Sequence, residues 1–325
     1  MADPLTAGPL SSGPLSFGAA NVGNLYRAMT DDRAHELLEA AWDCGIRYFD
    51  TAPHYGLGLS ERRLGAFLAS KPRSDFLLST KVGRLLRPTT AAPGTRGTDE
   101  AHDFVVPADL ERVWDPSATG VRRSLEESLQ RLGLDRVDVL YLHDPEEHDL
   151  DPALATGVPG LVALREEGLV DAVGVGSKST AALLAAARTE ALDLLMVAGR
   201  YTLAEQPALA ELLPLCRRLD VGVVNAAVFN TGLLATRRPT RQGRYEYGTV
   251  PDRTLARVRS IASVCEEMGV DLPTAALQYT LREPAVRTVV VGAATPSQVR
   301  QNAERMRRPV PEALWQRLAE LGLAP

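Results

Sequence analysis

Eight short apolar runs, each followed by a helical pattern, constrain this chain more than any other feature. The runs cover residues 15–19, 46–49, 76–80, 137–142, 170–175, 192–197, 221–226 and 286–291. Their interiors are nearly continuous Val, Leu and Ile, as in Val289-Val290-Val291, which is the pattern of parallel strands covered on both faces. Helical spacing is expected over 31–45, where Asp31 and Asp32 can cap, and over 60–68, 118–132, 161–167, 181–188 and 209–219. It recurs over 253–268, 274–281, 297–306 and 312–321. Two architectures repeat strand and helix in this way, the closed (β/α)8 barrel and the doubly wound open sheet. The open sheet would carry a Gly-x-Gly-x-x-Gly turn after its first strand, but Gly18 is followed by Ala19-Ala20-Asn21. Gly174-Val175-Gly176 lacks the third glycine and lies mid-chain. The expected fold is therefore α/β, a single (β/α)8 TIM barrel spanning residues 1–325. Residues 1–14 read as a flexible N-terminal segment, 83–116 as a long irregular loop after the third strand, and the last helix as a closing one.

Composition narrows the function classes. Hydrophobic residues at 45% can fill a large core and exclude long disorder. The net charge of −5 comes from interspersed charges with no basic stripe, so nucleic-acid binding is not expected. No apolar run approaches a membrane span, and the N-terminus lacks the basic and apolar regions of a signal peptide. Cys44, Cys216 and Cys265 form neither a Cys-x-x-Cys pair nor a Cys/His cluster, so no disulfide framework or metal site is expected and a cytoplasmic location follows.

Barrel enzymes carry their working residues at the C-terminal ends of strands. Asp50 and Tyr55 follow the second strand, Lys81 the third and His143 the fourth. Each has an ordinary structural role available, but closure of a barrel would bring all four into one mouth. Their chemistry then fits a single step. An unperturbed Tyr, with a pKa near 10, is a poor proton shuttle at neutral pH. A neighbouring ammonium favours the phenolate, and a carboxylate keeps the Lys charged and in place. A neutral imidazole can orient a substrate oxygen. The set suits general acid/base interconversion of a carbonyl and an alcohol, with the hydride coming from a cofactor.

These residues resemble the aldo-keto reductase family. The resemblance rests on Phe49-Asp50-Thr51-Ala52-Pro53-His54-Tyr55-Gly56, on Thr80-Lys81-Val82-Gly83 and on Tyr141-Leu142-His143. It implies a (β/α)8 barrel that binds NAD or NADP across its mouth, with Tyr55 as proton donor and acceptor, Lys81 and Asp50 tuning it, and His143 orienting the substrate oxygen. Leu142-His143-Asp144-Pro145-Glu146 and Val228-Phe229-Asn230-Thr231-Gly232 resemble the branch of aldose 1-dehydrogenases and pyridoxal dehydrogenases. The implied reaction is oxidation of the C1 hydroxyl of an aldose of the L-fucose, L-galactose or D-arabinose type to a lactone. Pyridoxal oxidation, broad aldehyde or ketone reduction with NADPH, and a non-catalytic cofactor-binding subunit are the alternatives.

The resemblance also implies cofactor positions. Ala20, Asn21 and Ser177 fall on the nicotinamide side, Phe229, Asn230 and Gly232 around the pyrophosphate, and Gly292, Ala293, Gln298 and Asn302 at the adenosine end. Tyr26, His54 and Trp114 are expected to face a small-molecule substrate. Three positions depart from the family pattern: Lys178 follows Ser177, while Ala198 and Ala226 stand where Gln and Tyr are usual. Gly292 and Gln298 supply no cation for a 2′-phosphate, which implies a lean toward NAD.

Overall fold

The structure is a computed structural model that describes residues 13–90, 97–245 and 248–325. Eight parallel strands close on themselves: Leu15–Gly18, Tyr48–Asp50, Leu77–Val82, Val139–His143, Ala172–Ser177, Leu194–Ala198, Gly222–Ala226 and Val286–Gly292. The last strand pairs with the first through Leu15↔Val289 and Gly18↔Gly292, which closes the barrel. All eight expected strands are present. Several begin a residue or two late, because Val137, Val170 and Leu192 are buried ahead of the ladder.

Strand alternation sorts the side chains into two populations. Tyr48, Val139, Tyr141, Leu194, Met196, Val224 and Val290 fill the barrel interior. Their neighbours Phe49, Leu78, Leu140, Val173, Leu195 and Val223 pack outward in the main core with the helices. Asp50, Lys81 and His143 share the parity of the inward set, so the pleat that packs the interior also aims them at the axis.

Most helices fall where the spacing predicts, as with Ala118–Leu132, capped by Ser117 and ended at Gly133 in the left-handed region. Three expectations need correction. Thr30, not Asp31 or Asp32, caps the first helix by accepting from the Arg33 amide; the two aspartates occupy its first turn. The helix expected at 161–167 runs from Leu150 to Glu166, with Pro159 inside it masking the spacing. The stretch 83–116 is not irregular throughout. Arg84–Pro88 and Leu110–Trp114 pair antiparallel as a hairpin, from Arg84↔Trp114 to Pro88↔Leu110. Its mixed Arg and Leu content hid it: Arg84, Leu85 and Leu86 of the first strand are buried, while the second strand is partly exposed, with Val113 at 40%. Residues 1–12 of the expected N-terminal segment lie outside the described residues, while the Pro14 carbonyl accepts from the Val289 amide at 3.1 Å.

At the opposite end of the barrel from the strand C-termini, buried Asp138 accepts from the Leu78 amide at 2.7 Å and from Arg73 at 2.8 Å. Asp138→Ala strands that amide. Urea unfolding is expected to show a loss of about 1–3 kcal/mol, with KM for substrate unchanged because this face is remote from the strand C-termini. A shifted KM would contradict that division of labour.

Candidate active site

The site is assembled from the turn after the second strand outward. Gly56 has φ +62°, and a Cβ there would lie 2.1 Å from the Gly23 carbonyl oxygen. A Cβ on Gly23 would in turn lie 2.7 Å from the Tyr55 carbonyl oxygen. The two backbones therefore touch, and this contact fixes where Tyr55 leaves its loop.

Beneath Tyr55 sits a buried ion pair. Lys81 Nζ donates to the two Asp50 carboxylate oxygens at 2.7 and 2.9 Å and to the Thr51 carbonyl at 3.0 Å. Ser79 Oγ donates to Asp50 at 2.7 Å, and Tyr48 OH donates to Ser79 Oγ at 3.0 Å. Burial holds the Tyr48 hydroxyl up, reinforced by Asp50, so it remains a donor. Lys81 Nζ lies 4.9 Å from the centre of the Tyr55 ring. Burial alone would pull the Lys81 pKa down, but the Asp50 carboxylate and the Tyr55 oxygen outweigh it and leave it above its ordinary value. Lys81 is therefore an ammonium at neutral pH.

Two imidazoles complete the mouth. The His143 ring is perpendicular to Tyr55, with centroids 6.0 Å apart, and the His54 ring is 5.7 Å from His143. Burial, with Arg84 and Lys81 adding, holds His143 well below the usual histidine range. His54 is lowered to about 2 by burial and then by Arg112 and Arg84. Both rings are neutral at working pH. Burial raises Asp144 to about 6 despite Arg84. The structure thus brings together the four residues that the strand ends singled out, Asp50, Tyr55, Lys81 and His143.

The expected cofactor positions ring the same end of the barrel. Asn21 and Gly292 meet, since a Cβ on Gly292 would lie 2.9 Å from Asn21 Oδ1. Gly292 closes its strand opposite Gly18, and Ala20 precedes Asn21 on the facing loop. Asn230, Thr231 and Gly232 are all in the left-handed region, a strained turn of the kind that persists at ligand sites. Asn230 Nδ2 donates to Glu205 at 2.9 Å, and its buried Oδ1 has no hydrogen-bond partner. A bare glycine cradle and an orphaned acceptor fit a long ligand with hydroxyls and amides. Gln298 accepts from the Ala294 amide at 2.7 Å, and Asn302 is buried and accepts from Arg305 at 3.2 Å. Ala293 is buried beside them, and Phe229 is partly buried against the core.

Ser177 is buried, bonded to Glu146 and to the Ser179 amide. Lys178 Nζ lies 3.7 Å from Glu147. Ala198 and Ala226 are register partners at adjacent strand ends, and their small side chains leave space there. Tyr26 lies on the loop between the first strand and the first helix, its amide donating to the Asp103 carbonyl at 2.7 Å. Trp114 lies under the Arg84 guanidinium, 4.2 Å from its carbon, and stacks with His148 at 5.5 Å. Sequence reasoning missed Arg84, Arg112 and Ser79. Ser79 was findable from strand parity two residues before Lys81; the arginines were hidden in the unrecognised hairpin.

The sequence profile of the aldo/keto reductase family matches residues 14–322. The chain belongs to the aldo/keto reductase family. It is 57% identical over 307 residues to a D-threo-aldose 1-dehydrogenase from a Pseudomonas species, covering 94% of this chain and 93% of that one. It is 36% identical to a pyridoxal 4-dehydrogenase from Microbacterium luteolum, covering 94% and 92%. The holo form of an aldo-keto reductase from Bacillus halodurans shares the fold, with a TM-score of 0.76 at 24% identity over 98% of this chain and 94% of that one. This aldo/keto reductase is an oxidoreductase whose cofactor is NAD or NADP. Among the described residues no helix is long and apolar enough to cross a membrane.

Folding depresses the His54 pKa, so the unfolded chain takes up a proton that the folded chain refuses. The stability from neutral His54 is complete above its unfolded value and is lost as pH falls below it, at most about 1.4 kcal/mol per pH unit below about pH 6.5. Urea melts of wild type and His54→Gln from pH 7 to 5 should show a steeper acid loss in wild type. Parallel pH dependences would mean that His54 is not held neutral.

Proposed function

We propose that this aldo/keto reductase oxidises the C1 hydroxyl of an aldose, in its cyclic hemiacetal form, to the lactone. The observation that carries the reading is the Lys81–Asp50 ion pair set against Tyr55, with the neutral His143 ring at right angles to it. The 57% identity to a D-threo-aldose 1-dehydrogenase along nearly the whole chain supports the substrate class. When bound, the nicotinamide ring supplies the acceptor for the hydride that leaves C1.

The chain's own residues handle the proton and the oxygen. Tyr55, as its phenolate, takes the proton of the C1 hydroxyl as that oxygen becomes a carbonyl, and then returns it to solvent. Lys81 stabilises the phenolate, and Asp50 holds Lys81 charged and aimed. His143 donates an N–H to the reacting oxygen. Substrate minus two hydrogens gives lactone: one hydrogen departs as the hydride that a bound cofactor would accept, and the other as the proton that Tyr55 passes to solvent. In this reading the chain serves as one barrel unit, with the hairpin as its cover, and Tyr26 and His54 line the sugar side of the mouth. Asn21, Gly292, Asn230 and Gly232 would hold the cofactor along one rim, with Ala293, Gln298 and Asn302 at the adenosine end.

The same residues support NAD over NADP. Gly292 has no side chain, the Gln298 carbonyl is committed to the Ala294 amide, and Arg305 sits between Asn302 and Asp271. The one cation among them, Arg305, is already engaged, so it is poorly placed to pair with a 2′-phosphate.

Absorbance of reduced nicotinamide should rise when the chain is mixed with NAD and L-fucose, L-galactose or D-arabinose, and should rise less with pyridoxal. kcat/KM should be higher with NAD than with NADP. Tyr55→Phe should lower kcat by about 10²–10⁴-fold while leaving NAD binding intact. Activity on simple aldehydes but on no aldose would overturn the substrate class, and unchanged turnover in Tyr55→Phe would overturn the proton path.

A further inference from the structure

The hairpin grips the loop that carries His54 with two guanidinium groups, one from each strand. Arg112 donates to the His54 carbonyl at 2.8 Å while held by Asp99 at 2.6 and 3.0 Å. Arg84 is only 6% exposed, and its Nη1 lies 3.3 Å from His54 Nδ1. Its Nη2 donates to Asp144 at 3.2 Å and to Glu147 at 3.0 Å, and the Trp114 ring covers its carbon. A guanidinium donates and cannot accept, so the imidazole nitrogen facing it must be unprotonated. A neutral ring in that contact carries its proton on Nε2.

We propose that Arg84 is a positioning residue that holds His54 as the Nε2–H tautomer, making it a second neutral N–H donor to the sugar beside His143. The two carboxylates hold the guanidinium through Nη2 and leave Nη1 facing His54, while the buried Nε has no partner. Asp144 Oδ2 also lies 3.4 Å from His143 Nε2, so the same guanidinium bears on both imidazoles, directly on one and through Asp144 on the other. The groups around His54 are Arg84, Arg112, His102, Lys81, Tyr55 and His143, and the cations among them all oppose its protonation. Two neutral donors at fixed separation suit a substrate with a hydroxyl next to the reacting carbon. A simple aldehyde has no oxygen for the second donor, so the device selects polyhydroxylated substrates. The donor role rests on the aldose reading, whereas the tautomer does not.

Long-range ¹H–¹⁵N spectra of the ligand-free chain should show His54 protonated on Nε2 alone and not titrating between about pH 5 and 8. Arg84→Gln should give a mixture of tautomers. It should also raise KM for the aldose by about tenfold with a smaller change in kcat and no change in NAD binding. Arg84→Lys, which keeps the charge but not the fork, should recover part of the KM loss. His54→Gln combined with Arg84→Gln should be no worse than the worse single variant. A wild-type His54 that carries its proton on Nδ1, or titrates in that range, overturns the proposal. So do additive KM effects in the double variant. If Arg84→Gln does not fold, the wild-type spectrum and Arg84→Lys decide. Failure of the aldose reading would show as absent sugar turnover with the His54 tautomer intact.

Discussion

The Asp50–Lys81 ion pair is the interaction on which the site depends, and the barrel is what makes the pair affordable. Both side chains are almost wholly buried, and an isolated ammonium or carboxylate in that position would be strongly destabilising. Here the ammonium reaches two carboxylate oxygens and a carbonyl, and the carboxylate gains Ser79, itself backed by Tyr48. The arrangement requires the second and third strands to pair with Asp50 opposite Ser79, so that Lys81 projects inward one step further along. A one-residue slip would turn Lys81 into the helix layer.

Around this pair the fold separates charge states by environment. One cation is kept charged because its carboxylate lies within hydrogen-bond distance. Two imidazoles a few ångströms away are kept neutral, first by burial and then by the cations Lys81, Arg84 and Arg112. The result is a phenol beside a fixed positive charge, faced by neutral imidazoles.

The barrel was legible because its parallel strands are buried on both faces and read as unbroken apolar runs. Asp50, Lys81 and His143 were legible for the same reason, as polar residues placed where those runs stop. Tyr55 was legible from its place after the second strand; what fixes its exit from the loop, the contact of Gly56 with Gly23, was not. The hairpin was not legible, since a ribbon of mixed Arg, Leu and Glu, buried along one strand and partly exposed along the other, has the composition of a loop. With it went Arg84, whose partners Asp144 and Glu147 lie 60 and 63 residues away, and Arg112, whose partner Asp99 lies 13 residues back within the same unrecognised stretch. Ser177 illustrates a different limit. Its hydroxyl bonds to Glu146, a partner that no spacing rule connects to it.

The central claim is that Lys81 makes Tyr55 a usable base at neutral pH. The pH dependence of kcat for aldose oxidation in Lys81→Met tests it most directly. Activity should be about 10²–10⁴-fold below wild type at neutral pH and should recover only above about pH 10, because the phenol must ionise without the ammonium and beside an unpaired Asp50. A Lys81→Met variant with the wild-type profile would contradict the account.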